Sequence, residues 1–271
     1  MIDPSTRKKS KYLLENLSRL NILLVEDNPL NIKLISILLF QHNQKLQLAQ
    51  NGEEAVEKIK ENYFDIILMD IEMPVMNGYE ATTVIRQQLK SNVPIIAMTA
   101  HNRNGEREKC LQLGMNAYIS KPIDEELLFS IMQDLIFGHT ISEIKNGIAS
   151  SEISITDKVC DLGYLLTAVR GNKKVVHEII DIFLKETPGE LANLEAAIRK
   201  ADQHLISNIA HKLKSSFSLL GITVLTPIFE AMEHLSNTAS SIGKIKQLTR
   251  RVIIVFEKAK AEMEFETITL L

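Results

Sequence analysis

Asp65-Ile66-Ile67-Leu68-Met69-Asp70, followed by Ile71-Glu72-Met73-Pro74-Val75-Met76-Asn77-Gly78, decides the fold. Four consecutive apolar residues bounded by carboxylates predict a short strand buried on both faces, as in a parallel sheet. Ligands of open parallel sheets bind beyond the carboxyl ends of the strands, so Asp70 stands where sites form. Pro74 and Gly78 mark a loop before the next helix. Taken alone, the stretch also allows Asp70 to be no more than a cap on that helix.

The pattern recurs on either side. Asn21-Ile22-Leu23-Leu24-Val25-Glu26-Asp27-Asn28-Pro29 is another apolar run that ends on acids before a turn. Leu30 to Phe40 is apolar at helical spacing, Lys45 to Ala49 alternates like a half-exposed strand, and Gly52 to Ile59 is helical again. After Asp70, Gly78 to Leu89 is a helix, and Pro94 to Thr99 a buried strand ending on a hydroxyl. Glu106 to Leu113 is a helix stopped by Gly114, Asn116 to Pro122 holds a strand ending on Lys121, and Asp124 caps a last helix through Ile136. Five strands alternating with helices predict a doubly wound α/β fold.

Such a sheet gathers Glu26, Asp27, Asp70, Thr99 and Lys121 at one edge. Three carboxylates in one place repel one another unless a hard divalent cation with oxygen ligands joins them, and magnesium is the expected ion. The set suits phosphoryl transfer, with Asp70 as nucleophile, Asp27 as metal ligand and Glu26 behind it or acting through water. The hydroxyl of Thr99 and the ammonium of Lys121 serve the remaining phosphoryl oxygens. Lys121 pairs with the acids when the site is empty and with phosphate when it is filled. Tyr118, read from its residues alone, is a half-buried strand aromatic with its hydroxyl at the surface.

The joint pattern of Glu26-Asp27, Asp70 with Met73-Pro74 and Gly78, Thr99-Ala100, and Tyr118 with Lys121-Pro122 closely resembles the receiver domain of two-component response regulators. The resemblance covers about Asn21 to Ile136. It implies a flavodoxin-like five-stranded sheet, phosphorylation at Asp70, and magnesium held by Asp27, Asp70 and the backbone carbonyl of Glu72. It also implies a switch in which Thr99 moves toward phosphate while Tyr118 turns inward. Asn77 stands where an aspartate is often found, a change expected to matter little.

Composition bounds the rest. Two domains are the natural division of 271 residues, and 45% hydrophobic with 24% charged residues describes a globular protein. A net charge of −3 offers no general attraction to nucleic acid or to an anionic membrane, so neither is an expected partner. Cys110 and Cys160 show no metal spacing and fit a reduced compartment. No apolar run approaches the roughly 18 residues of a membrane span, and the first residues lack the apolar core of a signal peptide. The expected location is cytoplasmic.

Residues 138–160 are polar and weakly patterned, and read as a semi-flexible linker. Beyond Asp161 everything is helical: Leu162 to Val169, Val175 to Lys185 up to Pro188, Leu191 to Lys200, Asp202 to Leu220, Val224 to Leu235, and Ile242 to Met263. Short breaks predict an antiparallel bundle. In Asp202 to Leu220 the stripe Ile206, Ala210, Leu213, Phe217, Leu220 faces a core, and Ser207, His211, Lys214, Ser215 and Ser218 project to one side of it. That places an exposed imidazole among small hydroxyls. With a pKa near ~6.5 it is largely neutral at cytoplasmic pH, as a phosphoacceptor must be, and Lys214 one turn on could steady a phosphoryl group. A plain solvated helix face has the same pattern.

Ala210-His211-Lys212-Leu213-Lys214-Ser215-Ser216 with Leu220-Gly221 resembles the histidine phosphotransfer (HPt) domain, over roughly Asp161 to Glu266. The resemblance implies His211 as the phosphorylated residue on an all-α four-helix bundle without catalytic activity of its own. Ser215 replaces a glycine common there, which makes docking slightly less close. The remaining histidines, His42, His101, His139, His177, His204 and His234, have no such context.

The chain thus divides into an N-terminal linker or stub (1–20), a receiver domain (21–137), a linker (138–160), an HPt domain (161–266) and a tail (267–271). The expected function is a phosphorelay: phosphoryl reaches Asp70 from a sensor histidine kinase upstream, passes to His211, and leaves for a response regulator downstream. The domain order looks like the C-terminal end of a bacterial hybrid histidine kinase, whose absent kinase portion could tether it to the inner membrane. Alternatively this is a freestanding adaptor acting by phosphorylation-dependent binding. The kinase catalytic elements are absent from the sequence given. A dehalogenase-type phosphatase needs an aspartate where Glu72 stands. A DNA-binding helical half is disfavoured by 14 Lys and Arg against 13 Asp and Glu in residues 161 to 271.

Overall fold

A computed structural model describes residues 19–100, 105–137, 159–235 and 242–270, with side chains through residue 264. The expected stub before residue 19 and linker residues 138–158 lie outside the described residues, as do His101 and His139. By element order the chain has an α/β unit followed by an all-helical unit.

In the first, β1 (Asn21–Val25), β2 (Lys45–Ala49), β3 (Ile66–Asp70), β4 (Ile95–Thr99) and β5 (Ala117–Ser120) alternate with α1 (Pro29–Gln41), α2 (Gly52–Glu61), α3 (Gly78–Gln87), α4 (Glu106–Gln112) and α5 (Glu125–Phe137). All strand pairs are parallel, in the order β2-β1-β3-β4-β5. This is the doubly wound sheet expected from the apolar runs. Leu23, Val25, Ile67, Met69, Ile95 and Ala97 face one core, with Ala55, Val56, Ala81 and Ile85 from α2 and α3. The intervening Ile22, Leu24, Ile66, Leu68, Ile96 and Met98 are equally inaccessible, so both faces are covered. Only β2, at the sheet edge, is largely exposed, which explains its alternating sequence.

Strand ends are fixed by backbone bonds that run past the regular ladder. Glu26 N donates to Ala49 O at 3.0 Å, Ile71 N to Met98 O at 3.2 Å, and Lys121 N to Thr99 O at 2.7 Å. The residues just beyond the apolar runs are thereby held as firmly as the strands. Asn77 N-caps α3 in a full capping box with Glu80, a role that an amide oxygen fills as well as a carboxylate.

The second unit contains α6 (Gly163–Ala168), α7 (Lys173–Lys200), α8 (Gln203–Leu219), a 3₁₀ turn (Thr223–Leu225), α9 (Thr226–Leu235) and α10 (Ile242–Leu270). Its core brings one aromatic ring from each long helix together. Phe183 of α7 and Phe217 of α8 meet edge to face at 5.0 Å, with Phe229 of α9 and Phe256 of α10 at 5.5 and 6.3 Å from Phe217. The stripe Ile206, Ala210, Leu213, Phe217, Leu220 is fully buried, as its spacing predicts.

One break expected from the sequence is absent. Pro188 and Gly189 do not end a helix; α7 runs through them for 28 residues. Proline costs about 3 kcal/mol in a helix interior. Here Phe183 and Thr187 before it, and Leu191 and Leu194 after it, are all buried on one continuous face, and that packing holds the helix together. At the far end α10 continues beyond Met263 into the expected tail.

Candidate functional site: an acidic strand-edge cluster and a bundle histidine

Asp70 is the last residue of β3, and Glu26 and Asp27 follow β1 directly. A carboxylate oxygen from each lies within 4.8 Å of the others. Glu26 and Asp70 are almost wholly removed from solvent, at 0% and 2% exposure. Burying clustered carboxylates is costly, and Lys121 answers part of it: its Nζ lies 2.6 Å from Glu26 Oε2 and 2.7 Å from Asp70 Oδ2. Burial works against the ammonium, but the facing Asp70 and Glu26 charges overcome it and hold its pKa above the usual lysine range. Three acids against one ammonium leave net negative charge among hard oxygen donors, which fits a divalent cation.

Glu72 lies two residues beyond Asp70 and is half buried. The loop that carries it closes on Gly78, whose N donates to Ile71 O at 2.9 Å. A Cβ there would stand 2.2 Å from the Asp70 carbonyl oxygen, so only glycine lets α3 start this close to the nucleophile. Thr99, buried at the end of β4, donates from Oγ1 to Glu106 Oε2 at 3.0 Å. Tyr118 on β5 packs half-buried against the core, with the Arg107 guanidinium 5.8 Å from its ring centre. Glu106 and Arg107, adjacent on α4, thus each hold one of the two expected switch residues, and neither was singled out from the sequence.

His211 sits in the third turn of α8. Within the bundle, the carboxylate of Glu233 on α9 approaches it, with Oε1 3.4 Å from Nδ1. Lys214 lies 2.9 Å and 3.1 Å from the two Glu233 oxygens. Ser215 follows it on the same helix. Glu233 was missed, yet it had a signal: with Phe229 and Met232 it completes an i, i+3, i+4 stripe that is otherwise core. Gly221, which closes α8, has φ 69°, and a Cβ there would meet the Asp161 carbonyl oxygen at 2.0 Å.

Of the remaining described histidines, His42 pairs with Glu125 at 2.7 Å and packs on Phe129, and His177 bonds the Lys173 carbonyl. His204 and His234 are exposed. Among the described residues no helix is long and apolar enough to cross a membrane.

Comparison with known proteins gives both units a family. Residues 22–133 match the response regulator receiver domain, and residues 178–253 match the Hpt domain. The histidine-protein kinase BarA of Escherichia coli is 31% identical over 216 residues, 79% of this chain and 24% of BarA. The sensor protein GacS of Pseudomonas syringae is 28% identical over 248 residues, 88% of this chain and 27% of GacS. The chain therefore spans about a quarter of the length of these curated relatives. Among solved structures, the magnesium-bound receiver domain of the sensor histidine kinase PA1611 of Pseudomonas aeruginosa is 43% identical, covering 44% of this chain and 99% of that one, with a TM-score of 0.41. The chain is a response regulator receiver domain followed by an Hpt domain, the two modules of a phosphorelay, and is similar across both to hybrid histidine kinases.

Proposed function

We propose that Asp70 accepts a phosphoryl group from a sensor kinase phosphohistidine and that His211 takes it from Asp70 and donates it to an aspartate of a downstream response regulator. The observation that carries this reading is the Lys121 ammonium held between Glu26 and Asp70 at the edge of a three-carboxylate cluster. Asp27, Asp70 and the backbone carbonyl of Glu72 would hold Mg²⁺, with Glu26 reaching it through water. Bound there, the ion neutralises charge on the phosphoryl oxygens and the aspartate.

The chain's own residues do the rest. The Asp70 carboxylate attacks phosphorus as the bond to the kinase histidine nitrogen breaks and its electron pair returns to that imidazole, Lys121 turns from the acids to a phosphoryl oxygen, and the Thr99 hydroxyl leaves Glu106 to bond another. Tyr118 turns inward as Thr99 moves. Lys214 and Ser215 support His211 in the second module. The relay operates in the cytoplasm between a kinase and a regulator, and this chain needs no catalytic kinase machinery of its own for either transfer.

Incubation with acetyl phosphate and magnesium, followed by intact-mass and Phos-tag analysis, tests the assignment. Acid-labile label on His211 is expected in the wild type and absent in Asp70→Asn, while His211→Ala keeps its label on Asp70. Label on Asp70 that never reaches His211 would break the order of transfer.

A further inference from the structure

The helical unit carries an unbalanced charge at one end. From Ile242 to Phe256, α10 holds Lys244, Lys246, Arg250 and Arg251 and no acid. Cations in the first turns of a helix face the positive end of its dipole, where stability favours Asp or Glu. α7 runs antiparallel beside it: Phe183 meets Phe256 at 5.8 Å, while Arg199, in the last turn of α7, lines the same cleft as Lys246 and Arg250.

That cleft, of about 310 Å³, is lined by Glu195, Ile198 and Arg199 of α7 and by Lys246, Thr249 and Arg250 of α10. Its residues divide by chemistry. Ile198 and Thr249 are buried and floor it, and the Thr249 hydroxyl is spent on the Ile245 carbonyl at 2.9 Å. Arg199, Lys246 and Arg250 are exposed. The acid among them, Glu195, stands 4.0 Å from Arg199, and a pair so long and so wet does little to neutralise it. No carboxylate among the described residues pairs with Lys246 or Arg250.

Three cations and one carboxylate thus surround a concave surface with an apolar floor. Like charges this close repel one another unless a counter-charge sits between them, and a planar guanidinium matches phosphate oxygens two at a time. We propose that this cleft binds a small phosphate ester that also carries hydroxyls, of which a nucleoside diphosphate is the simplest example. The phosphate oxygens accept from Arg199, Lys246 and Arg250. A ligand hydroxyl donates to Glu195, a carboxylate that would repel a bare phosphate. The apolar part of the ligand lies on Ile198. The volume is at the small end of ligand pockets, which suits a compact molecule and not a folded partner. No residue of α8 lines the cleft, so the site is separate from His211.

The test titrates the full chain with ADP and, separately, with pyrophosphate, by calorimetry and by ¹H–¹⁵N correlation of the backbone. EDTA is present throughout, so that no metal can carry ADP to the acidic cluster around Asp70. Saturable ADP binding is expected, with shifts concentrated at Ile198 and Thr249, and pyrophosphate is expected to bind about tenfold more weakly. Arg199→Gln with Arg250→Gln changes exposed positions only. That variant is expected to weaken ADP binding at least about tenfold while its thermal unfolding stays that of the wild type. Glu195→Ala is expected to bring ADP and pyrophosphate to similar affinity. Shifts that rise linearly with ADP and spread over the basic surface overturn the proposal. So does ADP affinity that is unchanged in the double variant, or pyrophosphate that binds the wild type as tightly as ADP.

Discussion

The ammonium of Lys121 lies 2.7 Å from the carboxylate of Asp70, and both side chains are almost fully removed from solvent. Lys121 is therefore both the partner that makes a buried nucleophile tolerable and a group that must turn away from it when phosphate arrives. Lys121→Met leaves Glu26 and Asp70 buried and facing each other. Unfolding in urea with EDTA is expected to show a loss of about 3 kcal/mol, the usual cost of breaking a buried pair. Millimolar magnesium is expected to restore much of it, because a cation at the same carboxylates stabilises the folded state by mass action. Equal loss with and without magnesium would deny the cluster its metal.

The same pair sets a pH dependence. The Lys121 pKa is raised on folding, so its contribution is fully present below the unfolded lysine value near ~10.4 and is lost as pH rises through the folded value. Between pH 7 and 9 the metal-free chain is expected to lose no stability through this pair, and the difference between wild type and Lys121→Met is expected to shrink only in strong alkali. Denaturant midpoints across that range check it.

Gly78→Ala tests how closely α3 approaches the nucleophile. The added Cβ meets the Asp70 carbonyl oxygen and forces the backbone apart, at an expected cost of about 1–3 kcal/mol. Labelling of Asp70 by acetyl phosphate is expected to fall as well, since the Asp70 backbone itself must shift. Unchanged labelling would show that the loop, not Asp70, yields.

Val75 has φ 71° and bridges a tight turn in which Met76 N donates to Pro74 O at 2.9 Å. A β-branched residue is strained there. Val75→Gly is expected to raise stability by about 0.5–1 kcal/mol, the relief of strain exceeding the entropy that glycine adds to the unfolded chain. Thermal unfolding checks it, and a lower melting temperature would contradict it.

Glu106→Ala removes the acceptor that Thr99 uses at 3.0 Å. Losing about 1 kcal/mol from that hydrogen bond frees the hydroxyl and is expected to speed Asp70 labelling roughly fivefold. Thr99→Ala in the same background is expected to abolish the gain, which separates release of the hydroxyl from a general loosening of α4.

The sheet and its acidic edge were legible because buried parallel strands are short apolar runs, and a charge that ends such a run has only the strand end to occupy. Asp70, Asp27 and Lys121 announced themselves in that way. Pro188 misled because a local helix breaker was weighed without the buried face that Phe183 and Leu194 share across it. The neighbour of His211 was illegible for a different reason. Nothing local in α8 says that a carboxylate from α9 meets His211 and Lys214. Glu106 and Glu233 share this character: each acts on a residue of another element, and pairings between elements leave little trace in a single sequence.

The central claim is passage of one phosphoryl group from Asp70 to His211. It is tested most directly by charging the wild-type chain with acetyl phosphate and magnesium, removing the donor, and following the protein by ³¹P NMR. The account predicts an acyl phosphate resonance that decays as a phosphoramidate resonance rises, with no phosphoramidate in Asp70→Asn or His211→Ala. Decay of the acyl phosphate straight to inorganic phosphate in the wild type would contradict it.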